Sequence, residues 1–507
     1  YEILIGLVGS EMCIRDSLAT AEKIAEKSIV LLKNDGLLPL RKDLRSVAVI
    51  GPAADTVSYG DYTETRGRKG GVSVLDGIRA AVSPETEVLY ERGCNFLGQA
   101  LHPFDPSMLR DENGEAGLTG RYYNGPVPQG EPVQVRTDRT VNFNWIFALP
   151  HPALDANGFS VVWTGSVVMP RTMDGCIGLS TQDSMRLYVD DKLLIDGWGK
   201  DKSADQALDF HFEAGRAYKI RIEFVNDRRG ARVIFGYSAG RENFPAAVEA
   251  ARKADVAILC MGDNEETSGE NFDRTDLNLP GRQLELVQAV YATGTPVVLV
   301  LQSGRPVTAN WENDHLSAIL EAWFPGEQGG TAIAKTLFGD AAPGGRLPIT
   351  FPRSVGQIPC HYSRRPGGGK RYVEMDWLPL YPFGYGLTYT TFAYRDMALS
   401  RSVIGPQDTV TVSVTVTNTG KYTGDAVPQL YVRDMFSSVV KPERQLAAFR
   451  RLTLAPGESR RVELTVGPKQ LRTLGPDYVW RVEPGKFELQ LGDNAENILL
   501  RADLTVE

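Results

Sequence analysis

The segment DVAILCMGDNEETSGENFDRTDLNLPGR, residues 255–282, decides how this chain is read. Its opening, Asp255 to Cys260, is a short continuous apolar run, the pattern of a strand covered on both faces. From Gly262 to Arg282 the composition shifts to glycine, serine, asparagine and aspartate, which punctuate loops. Loops at the carboxyl ends of strands in open α/β sheets hold ligands, so an acidic loop here is well sited for chemistry. Glu270 stands in it as a lone carboxylate between small, flexible residues. Set against this, a surface glutamate in such a loop is ordinarily just solvated.

Outward from this segment the α/β periodicity continues. Helices are expected over 245–254, 282–292 and 329–338, with strands over 296–301 and 317–321. On the amino side, 18–32 has helical spacing stopped by Asn34-Asp-Gly36, while 47–50 and 87–90 read as strands. The Gly51-Pro52 turn after the first of these lacks G-x-G-x-x-G and a phosphate-cradling lysine, which argues against a dinucleotide site.

Between 117 and 240 helical spacing disappears. Phe159–Gly165, Asp183–Asp190 and Tyr218–Phe224 alternate apolar with polar side chains, as half-buried antiparallel strands do. This stretch reads as a β domain inserted into the α/β domain, an arrangement tolerated where chain ends entering and leaving a domain lie close together. From Phe392 the pattern is all-β again: Val410 to Thr417 alternates strictly and Asn418-Thr-Gly420 turns it, the pattern of a β-sandwich.

Composition narrows the function classes. The 507 residues are 42% hydrophobic and 23% charged, enough material for several cores. A net charge of -8 offers no basic stripe for phosphates, which excludes nucleic acid as a partner. Five cysteines (13, 94, 176, 260, 360) lack C-x-x-C spacing and nearby histidines, so they read as buried free thiols, with no metal or disulfide framework. No apolar run approaches the roughly 18 residues that span a bilayer, and no membrane partner is expected. The opening 1–17 has Glu2 where a secretory signal carries basic residues; it reads as a non-native leader resembling translated adapter sequence. With the native start expected to be missing, localisation is left open between cytoplasm and periplasm.

Several runs, in this order, carry a family resemblance: Ser28-Ile-Val-Leu-Leu-Lys-Asn-Asp-Gly-Leu-Leu-Pro-Leu40, Val49-Ile-Gly-Pro-Ala53, Ser268-Gly-Glu-Asn-Phe-Asp-Arg274 with Asp276-Leu-Asn-Leu-Pro-Gly-Arg282, Trp323-Phe-Pro-Gly-Glu-Gln-Gly-Gly330, Pro343-Gly-Gly-Arg-Leu-Pro348 and Tyr381-Pro-Phe-Gly-Tyr-Gly-Leu387. From about residue 18 onward the chain resembles glycoside hydrolase family three, the β-glucosidase-like enzymes. Leu118 to Gly125 and Leu179 to Trp198 resemble a PA14 domain, an insert some members carry. The resemblance implies an α/β sandwich domain (18–116 and 241–391), interrupted by a PA14-like β-sandwich (117–240) and followed by a fibronectin type III-like β-sandwich (392–507).

It further implies that Glu270 is the general acid/base of a retaining glycosidase, with Asp273 and Arg274 pairing to shape the loop. Glu265 and Glu266 read as solvated charges. The family's nucleophile is an aspartate of a Ser-Asp-Trp motif on an N-terminal (β/α)8 barrel; no such barrel is expected within this chain. Met375-Asp-Trp377 is the nearest look-alike, but it lacks the serine and a barrel strand, so Asp376 is not taken as nucleophile. Trp163 and Trp198 suit sugar stacking or, more simply, core packing. Asp190-Asp191 suits calcium or a hairpin turn, with the turn preferred. No cofactor is expected. Two functions follow: the C-terminal part of an exo-acting β-glucosidase-like hydrolase, nearly inactive without its barrel, whose insert limits substrate length; or a non-catalytic carbohydrate-binding or scaffolding protein. Expected partners are a β-linked oligosaccharide or an aryl or alkyl glycoside, the barrel, and a second copy in a homodimer.

Overall fold

The computed structural model describes residues 9–60, 63, 70–96, 101–145, 149–155, 158–181, 183–199, 206–226, 231–238, 244–264, 267–270, 272–367 and 371–507. They divide into two compact units, Tyr1–Phe96 with Ala246–Glu507, and Leu97–Pro245.

In the first unit a six-stranded sheet is built from β1 (Val30–Asn34), β2 (Ser46–Ile50), β3 (Glu87–Glu91), β4 (Val256–Gly262), β5 (Val297–Gln302) and β6 (Ala318–Glu321), in the order β1-β6-β5-β4-β2-β3. Only β1 runs antiparallel to its neighbour. The helices are α1 (Gly9–Ser28), α2 (Val74–Ala81), α3 (Pro245–Lys253), α4 (Gln283–Tyr291), α5 (Asn310–His315) and α6 (Gly329–Leu337). Every residue of β2, β4, β5 and β6 is buried, as parallel strands sandwiched between helices must be. Val47, Ile258, Val300 and Leu320 join Ile333 and Leu337 of α6 in one apolar core. The chain steps from β2 to β3 on one side and returns to β4 on the other, which puts the topological switch point between β2 and β4.

The helix expected over 18–32 requires correction. α1 starts at Gly9, within the expected leader, and ends at Ser28; Val30, Leu31 and Leu32 enter β1. Short apolar runs do not separate helix from strand by periodicity, and here β-branched Ile29 and Val30 precede a run buried by antiparallel pairing, Val30 opposite Glu321. The sequence reading also passed over α2, whose first turn is capped by Ser73 Oγ accepting from Asp76 N at 3.1 Å.

The same unit ends in two facing sheets. Phe392–Leu399, Val410–Asn418 and Ser459–Val466 form one, and Val403–Ile404, Ile498–Val506, Gly485–Gly492, Gln429–Asp434 and Gln445–Phe449 the other. Val412, Val414, Leu464, Leu489 and Leu504 fill the space between them. Asp425 ties this sandwich to α1: it accepts from Lys27 Nζ at 2.7 Å, Arg451 Nη1 at 2.9 Å and Thr453 Oγ1 at 2.7 Å. Burial alone would raise its carboxyl, but these three bonds outweigh it and hold the group at about 2.

In the second unit, one sheet centres on Met173–Thr181 and another on Phe159–Val168 and Ala217–Asn226. Trp163, Tyr122, Phe159, Phe212, Phe224 and Phe235 are wholly buried in its core. The unit starts at Leu97, ahead of the 117 at which strand texture becomes legible. His102–Pro103 and Leu109–Arg110 are strands of two residues, too short to show alternation, yet they pair with Arg232–Ser238 and Phe159–Val168.

Candidate active site

The site is built from the carboxyl ends of β4 and β5. β4 finishes at Gly262, with φ +142; a Cβ there would come within 2.0 Å of the Gln302 carbonyl oxygen, so only glycine lets the two strand ends lie this close. Gln283, at the start of α4, accepts from Gly262 N through Oε1 at 2.8 Å and donates from Nε2 to Gly262 O at 2.9 Å. One buried amide thereby joins the two ends of the 263–282 loop.

Asp263, 2% exposed, follows directly. Its backbone N–H donates to Gln302 O at 2.9 Å, and its Oδ2 accepts from Ser303 Oγ at 2.7 Å. Two guanidinium groups face it, Arg274 Nη1 at 3.4 Å and Arg305 Nε at 3.6 Å. Each also reaches the loop backbone: Arg305 Nη2 donates to Thr267 O at 3.1 Å and Arg274 Nη2 to Asn278 O at 3.0 Å. The loop is therefore held at 267 and at 278. Between these anchors Glu270 lies exposed in the turn closed by Phe272 N donating to Gly269 O at 3.2 Å. An anchored loop with an exposed carboxyl can present a proton donor and acceptor to a ligand at the sheet's carboxyl edge, beside the switch point.

At the end of β6, Glu321 is wholly buried and its Oε1 accepts from Trp323 N at 2.8 Å. Burial pushes its carboxyl well above the ordinary range. Trp323 itself takes φ +60, an uncommon conformation for a bulky residue.

The expected Asp273–Arg274 pair does not form. Asp273 is exposed, while Arg274 turns to Asp263 and, at 3.5 Å, to Asp276. A carboxylate buried in a low dielectric attracts a cation more strongly than one facing water. Glu265 and Glu266 lie outside the described residues. Asp376 is exposed, its Oδ1 accepting from Leu378 N at 3.0 Å in a local turn. Trp163 is a core residue whose Nε1 donates to Asp138 Oδ2 at 2.7 Å; half-buried Trp198 lies 4.7 Å from the Arg186 guanidinium. Asp190 and Asp191 take φ 49 and 62 in a hairpin turn and engage Arg216 and Lys219 respectively. Cys94, Cys176 and Cys260 are buried and Cys360 is partly buried, each outside any disulfide; Cys13 falls outside the described side chains. No described helix is long and apolar enough to cross a membrane.

Asp263, Ser303 and Arg305 escaped the sequence reading. Their shared signal is position: each comes within three residues after a buried parallel strand.

The family model for the glycosyl hydrolase family 3 C-terminal domain matches residues 29–389, and that for the fibronectin type III-like domain matches 426–495. A β-glucosidase of Rhizobium radiobacter is 34% identical over 524 residues, covering 96% of this chain and 62% of the relative. A β-xylosidase of Formosa agariphila is 45% identical over 302 residues, covering 57% of this chain and 42% of the relative. Among solved structures, the β-glucosidase from Kluyveromyces marxianus in complex with glucose superposes with a TM-score of 0.71 at 28% identity, covering 97% of this chain and 63% of that one. The chain thus spans less than two thirds of the length of these relatives.

Proposed function

This chain belongs to glycosyl hydrolase family 3, and on that premise we propose that it is the C-terminal part of a retaining, exo-acting β-glucosidase-like hydrolase in which Glu270 is the general acid/base. The observation that carries this reading is the placement of Glu270: exposed on a loop at the carboxyl end of β4, beside the switch point, with both flanks tied down through Asp263. Retaining glycosidases need two carboxyl groups about 5–5.5 Å apart. In this proposal the second is an aspartate on a (β/α)8 barrel outside residues 18–507. The aspartate attacks the anomeric carbon while Glu270 protonates the departing glycosidic oxygen; Glu270, then ionised, takes a proton from the water that releases the sugar. The substrate is a β-linked oligosaccharide or an aryl or alkyl glycoside, with glucose and xylose both consistent with the relatives' names. The identity of the second unit as a PA14-like insert belongs to the same proposal.

The test is hydrolysis of an aryl β-glucoside by this chain with and without a supplied family barrel. Turnover only in the mixture is the expected result. Full turnover by the chain alone would put the nucleophile inside it, and none in either case would favour a carbohydrate-binding role.

A further inference from the structure

Between the segment leading into the sandwich and the sandwich's own Asn494–Asn497 turn lies a partly open cleft of about 90 Å³, several times the space one water molecule needs. Trp377 stands on its wall, 42% exposed, with the Arg364 guanidinium 4.6 Å from the ring centroid. That guanidinium is itself fixed, Nη1 donating to Glu496 Oε1 at 2.7 Å and Nε facing Glu443 Oε2 at 3.4 Å. The indole is therefore held in place before any ligand arrives, which lowers the ordering cost of binding. Tyr362 adds a second aromatic wall, stacked on Phe383 at 4.2 Å.

Two polar side chains lining the same space are uncommitted. Neither the exposed His361 ring nor the hydroxyl of Thr350, a residue only 7% exposed, hydrogen-bonds to a described residue. These features select among ligands. An anion gains little, because Glu496 and Glu443 already neutralise Arg364. A purely apolar ligand would cover Thr350 and His361 without pairing them. A neutral ring with an apolar C–H face and a hydroxyl rim satisfies both the indole and the two polar groups.

We propose that this cleft binds a neutral pyranose unit, stacked on Trp377 and hydrogen-bonded by His361 and Thr350. The choice of a sugar rests on the glycosidase reading above; the layout of the cleft does not.

The experiment is a titration of the 507-residue chain with cellobiose, followed by saturation-transfer NMR and tryptophan fluorescence. Saturable binding is expected with a Kd on the order of 1 mM. It weakens about tenfold in Trp377→Ala. In His361→Ala, a replacement at an exposed position that tests the site should Trp377→Ala fail to fold, it weakens about threefold. Absence of saturable binding, or affinity unchanged in both cleft variants, overturns the proposal. Because binding is read without turnover, a chain that binds through Trp377 yet hydrolyses nothing with a barrel supplied retains this inference and loses the glycosidase reading.

Discussion

Asp263 and Ser303, forty positions apart, meet at the ends of two adjacent parallel strands, where Ser303 Oγ donates to Asp263 Oδ2 at 2.7 Å. The bond places one buried negative charge opposite Arg274 and Arg305, and those two side chains hold the backbone on either side of Glu270. The Glu270 loop is thus organised from beneath by residues that the proposed chemistry does not itself use.

Asp263→Asn removes the charge and leaves two partly buried arginines facing each other. The expected cost is about 1–3 kcal/mol, below that of breaking a fully buried pair because both guanidinium groups retain some water contact. Ser303→Ala loses the bond to Asp263 and the one its Oγ accepts from Arg305 N at 3.2 Å, about 1–3 kcal/mol together. Urea denaturation gives both values. Hydrogen exchange at the Thr267 and Phe272 amides should accelerate in Asp263→Asn; unchanged exchange would mean that the arginines do not anchor the loop.

Gly262→Ala brings a Cβ against the Gln302 carbonyl at a position with φ +142. Overpacking and backbone strain together should destabilise the chain by about 2–4 kcal/mol. Gln283→Ala acts at the same place by another route, leaving the buried Gly262 N–H and C=O without their side-chain partner, for about 1–3 kcal/mol. Midpoints equal to the unaltered chain would remove the clamp from the account.

Glu312 is 3% exposed, and burial raises its carboxyl from 4.5 to about 6. The folded chain keeps this proton where the unfolded chain has already lost it. Its contribution to stability is therefore fully present below pH 4.5 and lost as pH rises through about 6. Glu312→Gln should flatten the stability profile across that window by about 1–2 kcal/mol. A profile that keeps its slope in the variant would assign the pH dependence to other groups.

What the sequence made legible follows from how local each signal is. The apolar run ending at Gly262 and the alternation of Val410–Asn418 are read from neighbouring residues, and both form the elements they suggest. Val30 to Leu32 was misread because a three-residue apolar run has no period, and its partner strand lies nearly three hundred residues away. The candidate site divides the same way. Glu270 is visible by its loop and by family resemblance, whereas Arg274 was matched to its sequence neighbour Asp273. Its actual partner Asp263 differs from Asp273 in burial, a property that only the folded sheet creates.

The most direct test of the proposed proton-donor role compares Glu270→Gln with the unaltered chain, each joined to a family barrel, on two β-glucosides that differ in leaving group. On an alkyl glucoside, whose departing oxygen needs a proton, kcat/KM should fall by about 10²–10⁴. On a dinitrophenyl glucoside, whose leaving group departs without help, the first chemical step should be nearly unaffected. Equal losses on both would contradict the assignment of Glu270 as general acid.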